Sequence, residues 1–160
     1  MKSDTNQQIE GEAVSKLYSE LEALNMQKKK IEATYLELFP KVDSYLIHDV
    51  LMRTSEDPEK YRDTGPFYTI EVFTKGGTSS EWCRNHILET TGTVPAVYDN
   101  GTHYVTHMRV TPNILKKLND FDFVEEVLGD YTGSGPSLGP MHDKGEIAIK
   151  RKDDSRIKTW

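Results

Sequence analysis

Cysteine is nearly missing from this sequence, because Cys83 is the single one among 160 residues. One thiol cannot form a disulfide within the chain, so a fold held together by cystine bridges is excluded. Cys83 falls where apolar residues recur with helical spacing. We therefore expect a small core residue there rather than a nucleophile.

Long apolar runs are missing as well. No stretch approaches the roughly 20 apolar residues that a helix needs to cross a bilayer. Residues 1–8 also lack the apolar centre of a signal peptide. We therefore predict a cytoplasmic protein that does not contact membranes.

Positive charge is the third scarce feature. The chain carries 20 lysine and arginine residues against 26 aspartate and glutamate residues, which makes a formal net charge of -6 at pH 7. An acidic chain has no basic field that gathers phosphate groups, so we do not expect nucleic acid as a partner. Hydrophobic residues make up 36% of the sequence, enough for one core with polar segments beside it.

What is present is a stretch, from Phe67 to Tyr131, in which the period of the apolar residues changes repeatedly. The order is strand, helix, strand, strand, helix, strand. The segments are residues 67–74, residues 79–91, two strands within residues 93–110 that meet at Asn100-Gly101, a short helix that opens at Thr111-Pro112, and residues 121–128. This order predicts an α+β fold, a ferredoxin-like βαββαβ sandwich over residues 67–131.

The first part of the chain carries a different pattern, in which apolar residues and one lysine fall on alternating steps of three and four. The positions that form this helical seam are Val14, Leu17, Leu21, Leu24, Lys28, Ile31, Tyr35 and Leu38. Heptad spacing predicts a coiled-coil-like helix that packs along one narrow stripe. Two interpretations stay open: a dimeric or trimeric coiled coil with Lys28 setting the register, and a helix folded back on its own domain.

Proline and polar residues divide the chain beyond this helix. Pro40 predicts the end or a kink of the first helix, because proline removes a backbone donor. A second helical pattern follows at residues 42–51, as part of either a bent helix or a hairpin. We assign residues 1–54 to the N-terminal helical segment and residues 55–66 to a polar linker.

After the last predicted strand the sequence becomes rich in glycine and proline. This composition predicts a flexible or extended arm that starts at Gly129, with residues 132–160 as an extended tail outside the sandwich. Within the tail, Ile147 and Ile149 predict a short edge strand at residues 146–150.

Two histidines raise the question of a metal site. His103 and His107 share one face of the predicted third strand, but four residues of strand separate them by roughly 13 Å, which is too far for one ion. A zinc site also needs a third ligand, and the sequence holds neither a cysteine pair nor an HExxH helix. We predict no metal and no cofactor, and we place both histidines with Val105 and Arg109 on the sheet face that the helices leave uncovered.

We expect no set of catalytic residues either. Residues 75–79, Lys-Gly-Gly-Thr-Ser, lack the spacing of a phosphate loop and fit a turn that ends in Ser79 as a helix N-cap. His86 lies on the predicted helix with no nucleophile beside it. We therefore predict that the protein is not an enzyme.

Residues 101–128 resemble a known family. They read as a strand, a Thr-Pro helix start, a short leucine-rich helix and a final strand with Val-Glu-Glu. This order resembles the second half of subtilisin-type propeptides and of their stand-alone inhibitor relatives. Residues 67–81 are similar in layout to the first half, and the resemblance covers about 65 of the 160 residues.

The resemblance implies a binding role, because in that family the helix-free sheet face packs on a protease and the segment after the last strand lies in its active-site cleft. Backbone hydrogen bonds supply the affinity in such extended-strand recognition. A subtilisin-like protease is therefore the partner that the resemblance implies. The matching positions are Val105, His107 and Arg109 on the sheet and Gly129, Asp130, Tyr131, Thr132 and Gly133 in the arm.

These observations predict a non-enzymatic protein-binding module, oligomerised by its N-terminal helix, with propeptide-like protease inhibition or chaperoning as its narrower form. One alternative is an accessory or structural subunit of a larger complex. A second alternative is a small-molecule or metal-binding sensor that uses His103, His107 and Arg109.

Overall fold

The computed structural model describes residues 2–152 as a mixed α+β protein with a long first helix and a four-stranded antiparallel sheet. Its helices are α1 (Lys2–Leu38), α2 (Ser44–Glu56), α3 (Pro58–Tyr61), α4 (Ser80–Thr91), α5 (Pro112–Asp120) and α6 (Glu146–Lys152). Its strands are β1 (Phe67–Thr74), β2 (Ala96–Tyr98), β3 (His103–Arg109) and β4 (Val124–Tyr131). The chain divides into two compact units, Met1–Glu37 and Leu38–Trp160. Among the described helices, none is both long enough and apolar enough to span a membrane.

Helix α1 has 37 residues and ends at Leu38, two residues before Pro40. The predicted helix end is confirmed. Its cause is local, because a proline lacks the backbone donor and pushes the residue before it out of the helical region. At 1.5 Å per residue, α1 is about 55 Å long.

The segment before α2 pairs with the sheet. Asp43 donates a backbone hydrogen bond of 2.9 Å to the carbonyl of Val127, and Val127 donates one of 2.8 Å to the carbonyl of Lys41. This short parallel bridge lies along β4, an edge strand of the sheet. The Asp43 carboxylate also caps α2 by accepting from the backbone N–H of Tyr45. Helix α2, which the sequence grouped with the first helix, therefore belongs to the sheet unit.

The strands pair in the order β2-β3-β1-β4, and each neighbouring pair is antiparallel. Strand β1 is central, has the bounds that its alternating pattern predicts, and has seven buried residues among its eight, because both sheet faces are covered. The predicted turn between β2 and β3 is confirmed. Its residues Asp99, Asn100 and Gly101 have positive φ angles, which these residue types tolerate best.

Helices α2 and α4 lie on one face of the sheet. The Tyr68 hydroxyl donates a hydrogen bond of 2.5 Å to Asp49 of α2, and the Tyr104 hydroxyl lies 3.3 Å from the Ser80 carbonyl of α4. Helix α5 packs against both helices and against β4. The buried core of this layer includes Leu46, Ile47, Val50, Ile70, Val72, Cys83, Ile87, Leu115, Leu118 and Val127. The expectation that Cys83 is a core residue is confirmed.

Hydroxyl side chains cap the N-termini of α4 and α5. The Ser79 side chain accepts from the backbone N–H of Trp82, as predicted, and Thr111 accepts from that of Ile114. The predicted linker at residues 55–66 contains the end of α2 and the single turn of α3.

The tail differs from its prediction. Residues 132–145 hold no helix or strand, as expected, but Glu146–Lys152 form helix α6, so the predicted edge strand is wrong. At the start of this helix, the Glu146 carboxylate accepts from the backbone N–H of Asp143, and the Gly145 carbonyl accepts from the backbone N–H of Ile149. Its Ile147 packs with Phe73 and Leu128, and the Ile147 backbone N–H donates to the Glu126 carboxylate, so these contacts take the place of strand pairing. The end of the predicted tail, residues 153–160, lies outside the described residues.

Candidate functional site

The tail crosses the sheet face that lies opposite the helices. In the middle of β1, the Thr69 hydroxyl accepts a hydrogen bond of 3.1 Å from the backbone N–H of Leu138. Near the end of β1, the Lys144 ammonium donates one of 2.8 Å to the Thr74 carbonyl. Helix α6 then adds the apolar contact of Ile147. The segment from residue 138 to residue 147 is therefore attached along the central strand.

This course of the tail corrects the prediction of an open sheet face. Val105 pairs with Glu71 across β3 and β1 and is only 5% exposed. His107 is half-buried, stacks on the Phe67 ring at 5.3 Å, and lies 3.0 Å from the Thr132 hydroxyl. Arg109 is exposed, with its guanidinium 4.4 Å from the centre of the Phe67 ring. The expectation was wrong because Ile147 of the tail packs with Phe73 and Leu128 of this face, which removes their apolar surface from water.

The predicted arm also starts later than expected. Gly129, Asp130 and Tyr131 are the last residues of β4 and pair with β1, and the Thr132 backbone N–H donates to the Phe67 carbonyl. The strand occupies residues 124–131, instead of the predicted 121–128. Gly129 fits there for a packing reason, since a Cβ atom would meet the Ile70 side chain at 2.7 Å. Of the five predicted arm residues, Thr132 and Gly133 lie beyond the strand.

Glu71 lies at the centre of the covered face and is fully buried. Its Oε1 atom accepts hydrogen bonds from the backbone N–H groups of Met141 at 2.9 Å and His142 at 3.3 Å. The same oxygen lies 3.0 Å from Nε2 of His103, whose Nδ1 is 3.2 Å from Asp99. A buried carboxylate needs such partners, because an unpaired buried charge costs several kcal/mol. This cost is comparable to the whole free energy of unfolding of a small domain.

The imidazole ring of His142, a tail residue, lies beside Glu71. Its Nε2 atom is 2.6 Å from Oδ2 of Asp130 and 3.6 Å from Oε2 of Glu71, and its Nδ1 atom is 3.0 Å from Oε2 of Glu146. Burial lowers the pKa of His142, but the hydrogen bonds to Asp130 and Glu146 outweigh it and place this pKa above its ordinary value. We call Glu71, Asp130, His142 and Glu146 the tail–sheet cluster.

The cluster's carboxylates are positioned by different elements. Glu71 comes from β1, Asp130 from β4 and Glu146 from the start of α6. Burial raises the pKa of Glu146, but the N–H of Asp143 and the His142 ring lower it by more, so its net pKa falls below the ordinary value. One oxygen each of Glu71 and Asp130 and one nitrogen of His142 lie within 4.8 Å of one another, a spacing that can hold a metal ion.

The two histidines singled out from the sequence do not converge. His103 contacts Glu71 and Asp99, whereas His107 contacts Thr132. Sequence reasoning missed Glu71 and His142. Glu71 carried a visible signal, a lone charge inside the apolar strand, but the tail residue that meets it is 71 positions away.

The helical seam on α1 forms a second candidate surface. Six of its apolar side chains, Val14, Leu17, Leu21, Leu24, Ile31 and Leu38, are between 44% and 59% exposed. Lys28 and Tyr35 of the same seam are half-buried. A row of half-exposed aliphatic residues is the kind of surface that a second helix covers.

The residues that the structure describes thus form two candidate functional surfaces, the helical seam and the tail–sheet cluster. Comparisons of the chain with protein-family models, with curated proteins and with solved structures found no match.

Proposed function

We propose that this protein is a non-enzymatic protein-binding module that self-associates through α1 and whose second unit is a ferredoxin-like βαββαβ sandwich. The strand order β2-β3-β1-β4 supports the fold proposal. Helix α4 follows β1 and helix α5 follows β3, so each helix connects two strands that run in parallel with one strand between them.

The observation that carries self-association is the helical seam. Its eight positions alternate strictly by three and four residues, from Val14 to Leu38. A globular helix has a wider apolar stripe with a period of 3.6, whereas a period of 3.5 is that of helices that wind around each other. The half-exposed side chains along it leave apolar area for a partner helix to cover. A second copy of the same chain presents a matching seam.

Lys28 supports the same proposal. It occupies one seam position, between Leu24 and Ile31. A single polar residue in such a seam lowers the stability of the assembly but selects its register and its number of chains. A helix that simply packed on a core would gain nothing from a charged residue at that position.

The molar mass of the full chain in solution tests this proposal. We expect size-exclusion chromatography with light scattering to show an oligomer at micromolar concentration. Leu24→Lys places a charge in the seam and should shift the mass towards that of the monomer. Met26→Lys is the matched control, because Met26 lies on α1 outside the seam and is 68% exposed. A monomeric wild-type chain, or equal masses for both variants, would contradict self-association.

The narrower proposal is propeptide-like inhibition of a subtilisin-like protease. One support is the resemblance of residues 67–131 to that family. The other is the way the tail binds the sheet face, because its backbone N–H groups donate hydrogen bonds to side chains of β1. A partner segment would bind to the same acceptors, the Thr69 hydroxyl and the Glu71 carboxylate, once the tail has moved away.

An inhibition assay with the full chain tests this narrower form. Ile147→Asp places a charge in the contact with Phe73 and Leu128 and should loosen the tail. We expect the wild type to slow peptide hydrolysis by a subtilisin-like protease and the variant to inhibit more strongly. If neither form inhibits at micromolar concentration, the inhibitor proposal is wrong, while the mass measurement decides about self-association separately.

A further inference from the structure

The tail–sheet cluster brings together three side chains with the donor atoms that transition metals prefer. These atoms are Oε2 of Glu71, Oδ2 of Asp130 and Nε2 of His142, and they come from β1, β4 and the tail. We propose that these three residues bind one divalent transition-metal ion of the Zn²⁺ type. The site goes beyond the proposed protein-binding function and does not depend on it.

An unsatisfied buried oxygen supports this site independently of the convergence. Glu71 is fully buried, and its Oε2 atom has no hydrogen-bond partner among the residues that the structure describes. Nε2 of His142 lies 3.6 Å from this oxygen, which is beyond hydrogen-bond distance. Buried acceptors without a partner are rare because each costs about 1–3 kcal/mol. A cation between Glu71 and His142 would satisfy this oxygen.

The atoms around the three ligands are arranged as a metal site requires. A ligating imidazole commonly donates its second ring N–H to a carboxylate, which orients the ring and selects the tautomer. Glu146 lies in that place, with Oε2 at 3.0 Å from Nδ1 of His142. Glu71 is oriented in the same manner, because its other oxygen is held by the backbone N–H groups of Met141 and His142.

The charge of the cluster points the same way. The His142 ring contacts three carboxyl groups, those of Glu71, Asp130 and Glu146, and a second imidazole, that of His103, contacts Glu71. Three formal negative charges therefore face two rings, each of which carries at most one positive charge. A divalent cation bound between the ligands would compensate most of this excess in a partly buried place where water screens it poorly.

The donor set selects the class of ion. Mg²⁺ and Ca²⁺ prefer oxygen ligands alone, whereas one imidazole nitrogen with two carboxylates suits Zn²⁺ and similar ions. Zinc bonds of about 2.0–2.2 Å place neighbouring ligand atoms roughly 3.3 Å apart. The 3.6 Å between His142 and Glu71 is close to this value. The 2.6 Å between His142 and Asp130 has to widen by less than 1 Å, which Asp130 can supply because it is only half-buried.

Calorimetric titration of the full, EDTA-treated chain with ZnCl₂ tests the proposal. We expect one Zn²⁺ per chain with a micromolar or lower Kd. His142→Gln removes the ligand nitrogen and should weaken binding by at least about tenfold, and Asp130→Asn should do the same. Glu146→Gln should leave the stoichiometry at one and weaken binding by roughly tenfold, since it acts through His142. Circular dichroism of each variant shows whether it is folded.

His86→Gln is the matched control, because His86 is a half-buried histidine that lies on α4 and contacts Trp82 and Phe123. It should bind Zn²⁺ like the wild type. The proposal is overturned if the wild type binds no Zn²⁺, if folded His142→Gln binds it as tightly as the wild type, or if His86→Gln abolishes binding. Equal affinity for Mg²⁺ and Zn²⁺ would also overturn it. Leu24→Lys, which tests self-association, should leave the Zn²⁺ affinity unchanged.

Discussion

The buried carboxylate of Glu71 accepts a hydrogen bond of 2.9 Å from the backbone N–H of Met141, which lies 70 residues further along the chain. This contact joins the central strand β1 to a tail segment that has no helix or strand of its own. Charge-assisted hydrogen bonds of this kind are about twice as strong as neutral ones. The tail is therefore a structural part of the sheet unit, held by a residue of its core.

Replacing Glu71 tests this attachment. We expect Glu71→Gln to lower the free energy of unfolding by about 1–3 kcal/mol. The glutamine side chain carries no charge, and its amide nitrogen donates hydrogen bonds instead of accepting them. Urea unfolding of the full chain, followed by circular dichroism, measures the loss. Glu89→Gln is the control, since Glu89 is exposed on α4. Equal unfolding midpoints for the two variants would show that Glu71 does not hold the tail.

Two isoleucines of α6 provide a matched pair. Ile147 is 6% exposed in the contact with Phe73 and Leu128, whereas Ile149 is 67% exposed. We expect Ile147→Ala to destabilise the protein by about 2 kcal/mol, at the low end for a buried isoleucine, because the site lies at the edge of the core. Ile149→Ala should stay within about 0.5 kcal/mol of the wild type. A null result for Ile147→Ala in thermal unfolding would contradict the packing of α6 on the sheet.

Gly129 provides a test of the layer between α2 and the sheet. A Cβ atom at this position would meet the side chains of Ile70 at 2.7 Å and Leu46 at 3.1 Å. We expect Gly129→Ala to cost about 1–3 kcal/mol through overpacking. Gly76→Ala is the control, since a Cβ there meets nothing within 4 Å. Thermal unfolding of both variants measures the difference. An unchanged melting temperature for Gly129→Ala would contradict the close packing of α2 on the sheet at this position.

The raised pKa of Tyr104 predicts that the free energy of unfolding depends on pH in alkaline solution. Burial raises the pKa of Tyr104 to about 12, and the neighbouring Cys83 thiol adds to the shift. In the unfolded chain a tyrosine loses its proton near pH 10. The stabilisation is therefore fully present below about pH 10 and falls as the pH rises towards 12, by at most about 1.4 kcal/mol per pH unit.

Urea unfolding at a series of alkaline pH values measures this slope. Tyr104→Phe should reduce the loss of stability above about pH 10, at a cost of about 1 kcal/mol at neutral pH, because the hydroxyl donates to the Gly101 carbonyl at 2.8 Å. Tyr98→Phe is the control, because Tyr98 lies on the short strand β2 and is 40% exposed. Parallel pH profiles for the wild type and Tyr104→Phe would refute the assignment.

The elements that sequence reasoning predicted correctly are those with a local cause. The alternation of residues 67–74 indicated β1 with its observed bounds, and Pro40 indicated the end of α1. Ser79 and Thr111 marked the starts of α4 and α5, because a hydroxyl before an apolar helical pattern satisfies free backbone N–H groups. Each of these signals acts within a few residues, so it can be recognised in the sequence without the tertiary structure.

The elements that were mispredicted lacked such a local signal. Strand β4 starts three residues later than expected, because Phe121–Phe123 form a turn after α5, with Val124 donating to the Phe121 carbonyl. Helix α6 has two isoleucines at a spacing that suits a strand equally well, and a segment this short is ambiguous by periodicity alone.

What the sequence determined by itself was the order of helices and strands between residues 67 and 131 and the heptad seam of α1, because both depend on periods of two, 3.5 or 3.6 residues along the chain. Only the tertiary structure decided that the tail returns across β1, that the sheet face is covered, and that His142 meets Glu71 and Asp130. These contacts join residues far apart in sequence, and their free energy comes from desolvation and charge pairing that exist only after the chain has folded.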